Sequence, residues 1–172
     1  MSPRKSIAGS ESGVTLIELM VAVTVLAVLV TVAVPGLQQF ILLSGLRSYS
    51  NAIAVDAILA RSEALKRNRT VKLCISTDGA TCAASGAWGD GWIVVDESVP
   101  TVISTHAAVK SNFLVNEAAD KISLSFPPSG IGVTTANFTV CRADPVGDQE
   151  RLVQIGVSGM PLITKTTGGG CS

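Results

Sequence analysis

The 172 residues suffice for one globular domain plus an extended element, and not for two full domains. Hydrophobic residues make up 47% of the chain against 15% charged and 4% aromatic, so small aliphatic side chains must be concentrated somewhere. Thirteen basic and thirteen acidic residues give a formal net charge of zero, so nothing in the overall charge calls for a nucleic-acid surface.

The apolar excess lies near the N-terminus. Residues 1–13 are short, polar and basic, with Arg4 and Lys5, and an apolar run from Val14 to Val34 follows. About 20 such residues cross the hydrocarbon core as a helix. The β-branched content would favour a strand in water, but in lipid each backbone N–H and C=O needs an internal partner, which selects helix. Arg4 and Lys5 precede the span and no positive charge follows until Arg47, so the N-terminus is expected in the cytoplasm and the remainder outside. A cleaved secretory signal shares the basic start, but its apolar stretch runs to only about 7–15 residues. Glu18 separates the two readings, because a carboxylate at the edge of a lipid span calls for a partner.

Gly13 followed by Val14-Thr15-Leu16-Ile17-Glu18 resembles the processing site of type IV prepilins and type II secretion pseudopilins. The resemblance implies that a membrane prepilin peptidase cuts between Gly13 and Val14 and methylates the new amine of Val14. It implies further that Glu18, the fifth mature residue, meets the N-terminal amine of a neighbouring subunit during assembly. Pro35 matches the family's helix-kinking proline. The first mature residue departs from the pattern, being Val14 where phenylalanine or methionine is usual.

After Pro35-Gly36 a helical period resumes. Leu42, Leu46, Tyr49, Ile53, Ala57, Ala60 and Ala64 recur at steps of three and four and share one face, with Arg47, Asp56, Arg61 and Glu63 expected mainly elsewhere. Lys66, Arg67 and Arg69 cluster where the helix should end, near the negative end of its dipole, and read as a solvated helix end rather than a DNA contact. A helix from Thr15 to Asn68 would be about 80 Å long.

From Val71 the texture changes to short β-branched segments separated by Gly, Pro, Asp and Ser. Strands are expected at Val71–Ser76, Gly91–Val95, Thr101–His106, Lys121–Phe126, Asn137–Cys141 and Leu152–Val157. Ile122, Leu124 and Phe126 alternate as on a sheet with one buried face. Short connections favour antiparallel pairing, so the fold class is α+β, a long helix packed on an antiparallel sheet. The chain divides into a leader (1–13), a transmembrane and assembly helix (14–35), an amphipathic second half (36–70) and a β-rich head (71–172).

Four cysteines allow three pairings, and their usage fits a compartment outside the cytosol. Cys74–Cys82 would clip a turn and Cys141–Cys171 would tie down the C-terminus, with loop-closure contributions of about 2.6 and about 3.7 kcal/mol. No metal or cofactor is expected, since the Cys74–Cys82 gap exceeds a zinc knuckle and His106 is the only histidine. An enzyme is not expected either: there is no Gly-x-Ser-x-Gly elbow, and Gly168-Gly169-Gly170 lacks the lysine of a phosphate loop. Asp144 and Asp148 read as a solvated turn. A plain anchored binding domain would explain the span but not Gly13 and Glu18.

Cys74-Ile75-Ser76-Thr77-Asp78-Gly79, then Cys82, then Trp88-Gly89-Asp90-Gly91-Trp92 resembles the GspH/FimT/FimU branch of minor pilins and pseudopilins. Trp88 and Trp92 read as core packing beneath a Gly-rich turn. The branch offers three roles: a FimU-like minor pilin at a pilus tip, a GspH-like pseudopilin of type II secretion, and a FimT-like DNA-uptake pilin. The FimT pattern of Gly-Arg-x-Arg corresponds here to Gly159-Met160-Pro161-Leu162, without either arginine, and Lys165 alone supplies little phosphate attraction. The FimU-like role is favoured, and DNA is not an expected partner. The partners implied are other pilins or pseudopilins, the prepilin peptidase, the inner-membrane assembly platform and inner-membrane lipid, with the head periplasmic.

Overall fold

The computed structural model describes residues 13–144, 146–147 and 149–167. The chain forms two compact units, Met1–Phe40 and Ile41–Ser172. One helix, α1 (Leu16–Arg67), contributes residues to both.

In the first unit the described residues from Leu16 are helical and their side chains, where described, lie exposed. An 18-residue window reaches a mean hydropathy of 2.7 with nothing buried, long and apolar enough to cross a membrane. Its two described threonine hydroxyls are satisfied within the helix: Thr24 Oγ1 donates to Val21 O at 2.8 Å, and Thr31 Oγ1 to Val28 O at 2.8 Å. That is the condition for a hydroxyl in lipid. Pro35 falls inside the bounds of α1.

In the second unit the helix presents the expected face. Leu46, Ile53, Ala57, Ala60 and Ala64 are fully buried, and Leu42 and Tyr49 pack against them at the edge. Asp56 departs from expectation, since it is buried too. The helix stops at a Schellman motif: Asn68 takes a left-handed φ of 52°, and Arg69 N reaches back to Ala64 O at 3.2 Å.

Eight strands follow, β1 (Val71–Ile75), β2 (Gly91–Asp96), β3 (Thr101–Ala107), β4 (Phe113–Glu117), β5 (Ser123–Phe126), β6 (Ala136–Arg142), β7 (Glu150–Ile155) and β8 (Pro161–Thr166). They form two antiparallel four-stranded sheets, ordered β3-β2-β1-β5 and β4-β6-β7-β8. Leu73, Trp92, Leu124 and Phe126 from the first sheet and Val115, Phe138, Val140 and Val153 from the second join the buried helix face in one core. Strand β2 is buried on both sides. Trp92 and Val94 face the core, while Ile93 is paired in register with Cys74, whose sulfur binds Cys82.

Two strands escaped the sequence reading. In β4 the inward positions are Phe113, Val115 and Glu117, so a carboxylate interrupts the apolar alternation. Glu117 is buried because it accepts from Ala119 N, Lys121 N and Asn137 N at 2.9, 2.8 and 3.2 Å. Strand β8 is an edge strand that opens on Pro161 and holds no fully buried residue, which removes the usual signal. Thr166, expected in a flexible tail, ends β8. Ile122, expected inside, is 37% exposed and precedes β5.

Candidate functional site

The N-terminal segment carries the expected processing and assembly residues. Gly13 and Val14 precede the helix, Val14 is 73% exposed, and a Cβ on Gly13 would meet nothing within 4 Å. Thr15 caps the helix. Glu18 N donates to Thr15 Oγ1 at 3.3 Å, and Glu18 Oε2 in return accepts from Thr15 N at 3.4 Å and Thr15 Oγ1 at 3.2 Å. This reciprocal arrangement is a capping box, and its Thr-x-x-Glu signature ahead of an apolar run was present in the sequence. Glu18 thus has a partner in its own chain, which the sequence reading did not foresee. The box starts the helix immediately after the Gly13–Val14 bond and leaves that bond outside regular structure.

In the head, Cys74 and Cys82 are joined by a disulfide with Cα atoms 5.6 Å apart. Cys141 lies buried on β6. Cys171 lies outside the described residues, and with it the expected Cys141–Cys171 bridge. Within the bridged loop Asp78 accepts four hydrogen bonds, from Ser76 Oγ, Ala80 N, Thr81 N and Thr81 Oγ1, all at 2.8–2.9 Å. The Thr81 and Ala80 amides, followed by the two hydroxyls, hold its carboxyl well below the usual carboxylate range.

Both tryptophans act as core residues with satisfied indoles. Trp88 Nε1 donates to Lys121 O at 2.7 Å and its ring meets Phe138 edge-on, centroids 4.7 Å apart. Trp92 Nε1 donates to Asp56 Oδ2 at 2.8 Å, and His106 stacks on its ring at 3.9 Å.

A cavity of about 450 Å³ opens beside the disulfide loop, lined by Ser76, Thr77, Asp78, Asp90, Thr105 and His106 among others. Its acids are engaged, Asp78 by its own loop and Asp90 by Ala87 N at 3.0 Å. Among the described residues no group of His, Cys, Asp and Glu could hold a metal ion. Two of the three basic residues expected at the end of α1, Lys66 and Arg67, are likewise paired, as is Lys72 on β1. Glu63 takes both Lys66 and Arg67, Arg67 also approaches Asp96 at 3.8 Å, and Lys72 pairs with Glu97. The β7–β8 turn presents exposed Val157 and Met160 where a phosphate-binding loop would need cations.

Known proteins resemble the chain in two places. The family model for the type II transport protein GspH matches residues 50–159. The prokaryotic N-terminal methylation motif matches residues 9–34. A search of curated proteins finds no match. Among solved structures, the type IV minor pilin FimU of Pseudomonas aeruginosa superposes with a TM-score of 0.56 at 19% identity, covering 69% of this chain and 87% of that one. A second crystal form of FimU gives 0.54 at 20% identity, over 69% and 92% of the two chains. The minor pseudopilin EpsH from the type 2 secretion system of Vibrio cholerae gives 0.50 at 10% identity, over 72% and 98%. At these identities the structural likeness speaks for the fold.

Proposed function

From the premise that this chain belongs to the GspH family of type II transport proteins, we propose that it is a FimU-like minor pilin. In this reading it is processed at Gly13–Val14, methylated on Val14 and joined to the tip complex of a type IV pilus. The coarser class is that of the minor pilins and pseudopilins, whose members are structural subunits. One observation carries the assembly reading: a methylation motif and a GspH-type head occur on one chain, linked through a single helix with Glu18 at its start. Among the described residues the Glu18 carboxylate is held by its own Thr15, and in lipid the cationic amine of a neighbouring Val14 would complete its pairing. Pro35 would loosen the helix by removing one backbone donor. The subunit would sit in the inner membrane before assembly, with its head in the periplasm, where Cys74–Cys82 and Cys141–Cys171 would be oxidised.

A pseudopilin of type II secretion is the second reading, favoured by the family model itself and by the likeness to EpsH. The two separate by experiment. Intact-mass and N-terminal analysis of the protein from native membranes should give a chain starting at N-methylated Val14 that gains four hydrogens on reduction. A chain starting at Met1 would remove the assembly mechanism. Deletion of the gene should then abolish surface pili while leaving protein secretion intact, and the reverse phenotype would establish the pseudopilin role.

A further inference from the structure

Three segments meet around Arg61 on α1. Arg61 Nε donates to Gly130 O at 3.2 Å, and its Nη1 lies 3.6 Å from Met160 Sδ. A Cβ on Gly159 would sit 3.0 Å from Arg61 Cδ, so the β7–β8 turn rests on the aliphatic stem of the arginine. Gly132 N and Val133 N both donate to Val157 O, at 2.9 and 3.1 Å, which laces the β5–β6 loop to the same turn. The half-buried guanidinium is therefore gripped by a carbonyl and a thioether, and among the described residues it has no ion pair. Apolar side chains stand around it. Ile131, Val157 and Met160 are 67%, 64% and 53% exposed. Ile58 and Leu65, three residues before Arg61 and four after, fall on the same helix face and are also exposed.

We propose that this lip is a docking surface for a neighbouring subunit, which brings a carboxylate to Arg61 between apolar side chains of its own. The proposal rests on the reading that the chain assembles with other subunits. Its physical basis is charge complementarity. Two guanidinium N–H groups are used, and the remainder suit a carboxylate, which accepts them in parallel. Covering the apolar rim excludes water and strengthens that contact. Nucleic acid fits less well, since a single cation in an apolar rim offers few phosphate contacts. A lipid surface fits less well too, since anionic headgroups are attracted by clusters of cations and the lip is built on Arg61 with apolar side chains around it.

The test uses the full-length chain in its native host, with the photocrosslinker p-benzoylphenylalanine in place of Val157. The expected adduct joins this chain to another filament subunit, at a stretch where Asp or Glu is flanked by apolar residues. Arg61→Gln should lower its yield about tenfold, and Arg61→Lys should retain most of it. Ile131→Asp, at an exposed position that costs the fold little, should lower the yield similarly. Unchanged yields in Arg61→Gln and Ile131→Asp would overturn the proposal, as would adducts to nucleic acid, to lipid or to residues 168–172 of the same chain. A subunit that enters filaments without any adduct sinks the docking surface alone. A subunit absent from every filament sinks both the surface and the assembly reading.

Discussion

Trp92 Nε1 on β2 donates to Asp56 Oδ2 on α1 at 2.8 Å, so the helix and the first sheet are latched through a buried carboxylate. The other oxygen accepts from Ser104 Oγ on β3 at 2.9 Å. Asp56→Ala would leave an indole N–H and a hydroxyl without their acceptor. The expected loss is about 2–4 kcal/mol, with Asp56→Asn costing about half of that because one acceptor survives. Urea unfolding of the full chain in detergent micelles, followed by tryptophan fluorescence, measures it. Equal midpoints for wild type and Asp56→Ala would show that the latch contributes nothing.

Gly45 and Phe113 set a second helix–sheet contact. A Cβ on Gly45 would overlap the Phe113 ring, which also meets Tyr49 edge-on at 5.2 Å. Alanine gains about 1 kcal/mol over glycine in a helix. Overpacking costs about 1–3 kcal/mol and should win, so Gly45→Ala is expected to destabilise the head. Phe113→Leu, added to Gly45→Ala, should recover part of the loss. A Gly45→Ala chain more stable than wild type would show that the ring moves aside freely.

Both contacts join residues far apart in the chain, which local sequence pattern does not encode. The inner stripe from Leu46 to Ala64 was legible because burial on one helix face repeats at three and four residues. Asp56 was placed outside that stripe because its acceptor role depends on Trp92 and Ser104, 36 and 48 residues away. Strand β4 hid behind Glu117, and β8 behind Pro161 and a half-exposed edge. The Thr15–Glu18 box is legible in the sequence as Thr-x-x-Glu ahead of an apolar run, and it is compatible with an intermolecular role for the same carboxylate.

Gly13→Ala isolates the peptidase from the fold. A Cβ at this position meets nothing, so the variant should insert normally and remain uncut. Recovery of a mature Val14 N-terminus would show that cleavage does not require glycine. Glu18→Ala should be cut and stay in the membrane, yet enter filaments at least about tenfold less than wild type if its carboxylate pairs with a neighbouring subunit's amine as proposed. Normal filament incorporation in a strain carrying only Glu18→Ala would overturn the assembly role.

Asp78 predicts a specific acid response. Its pKa is lowered from an ordinary value of 3.8, so its contribution to loop stability is fully present above that value. The contribution is lost as pH falls below 3.8 towards the depressed folded value. The amide resonances of Ala80 and Thr81 should accordingly stay unmoved on acidification to pH 3.8 and shift only below it. A midpoint at or above 3.8 would show that the four hydrogen bonds do not act on the charged carboxylate. Asp78→Asn should remove the transition.

The loop from Ser76 to Cys82 is thus closed twice, by agents that respond to different chemistry. A reductant opens the sulfur bridge and leaves the carboxylate contacts in place, whereas strong acid does the opposite. A passing drop in either redox potential or pH therefore leaves one closure standing.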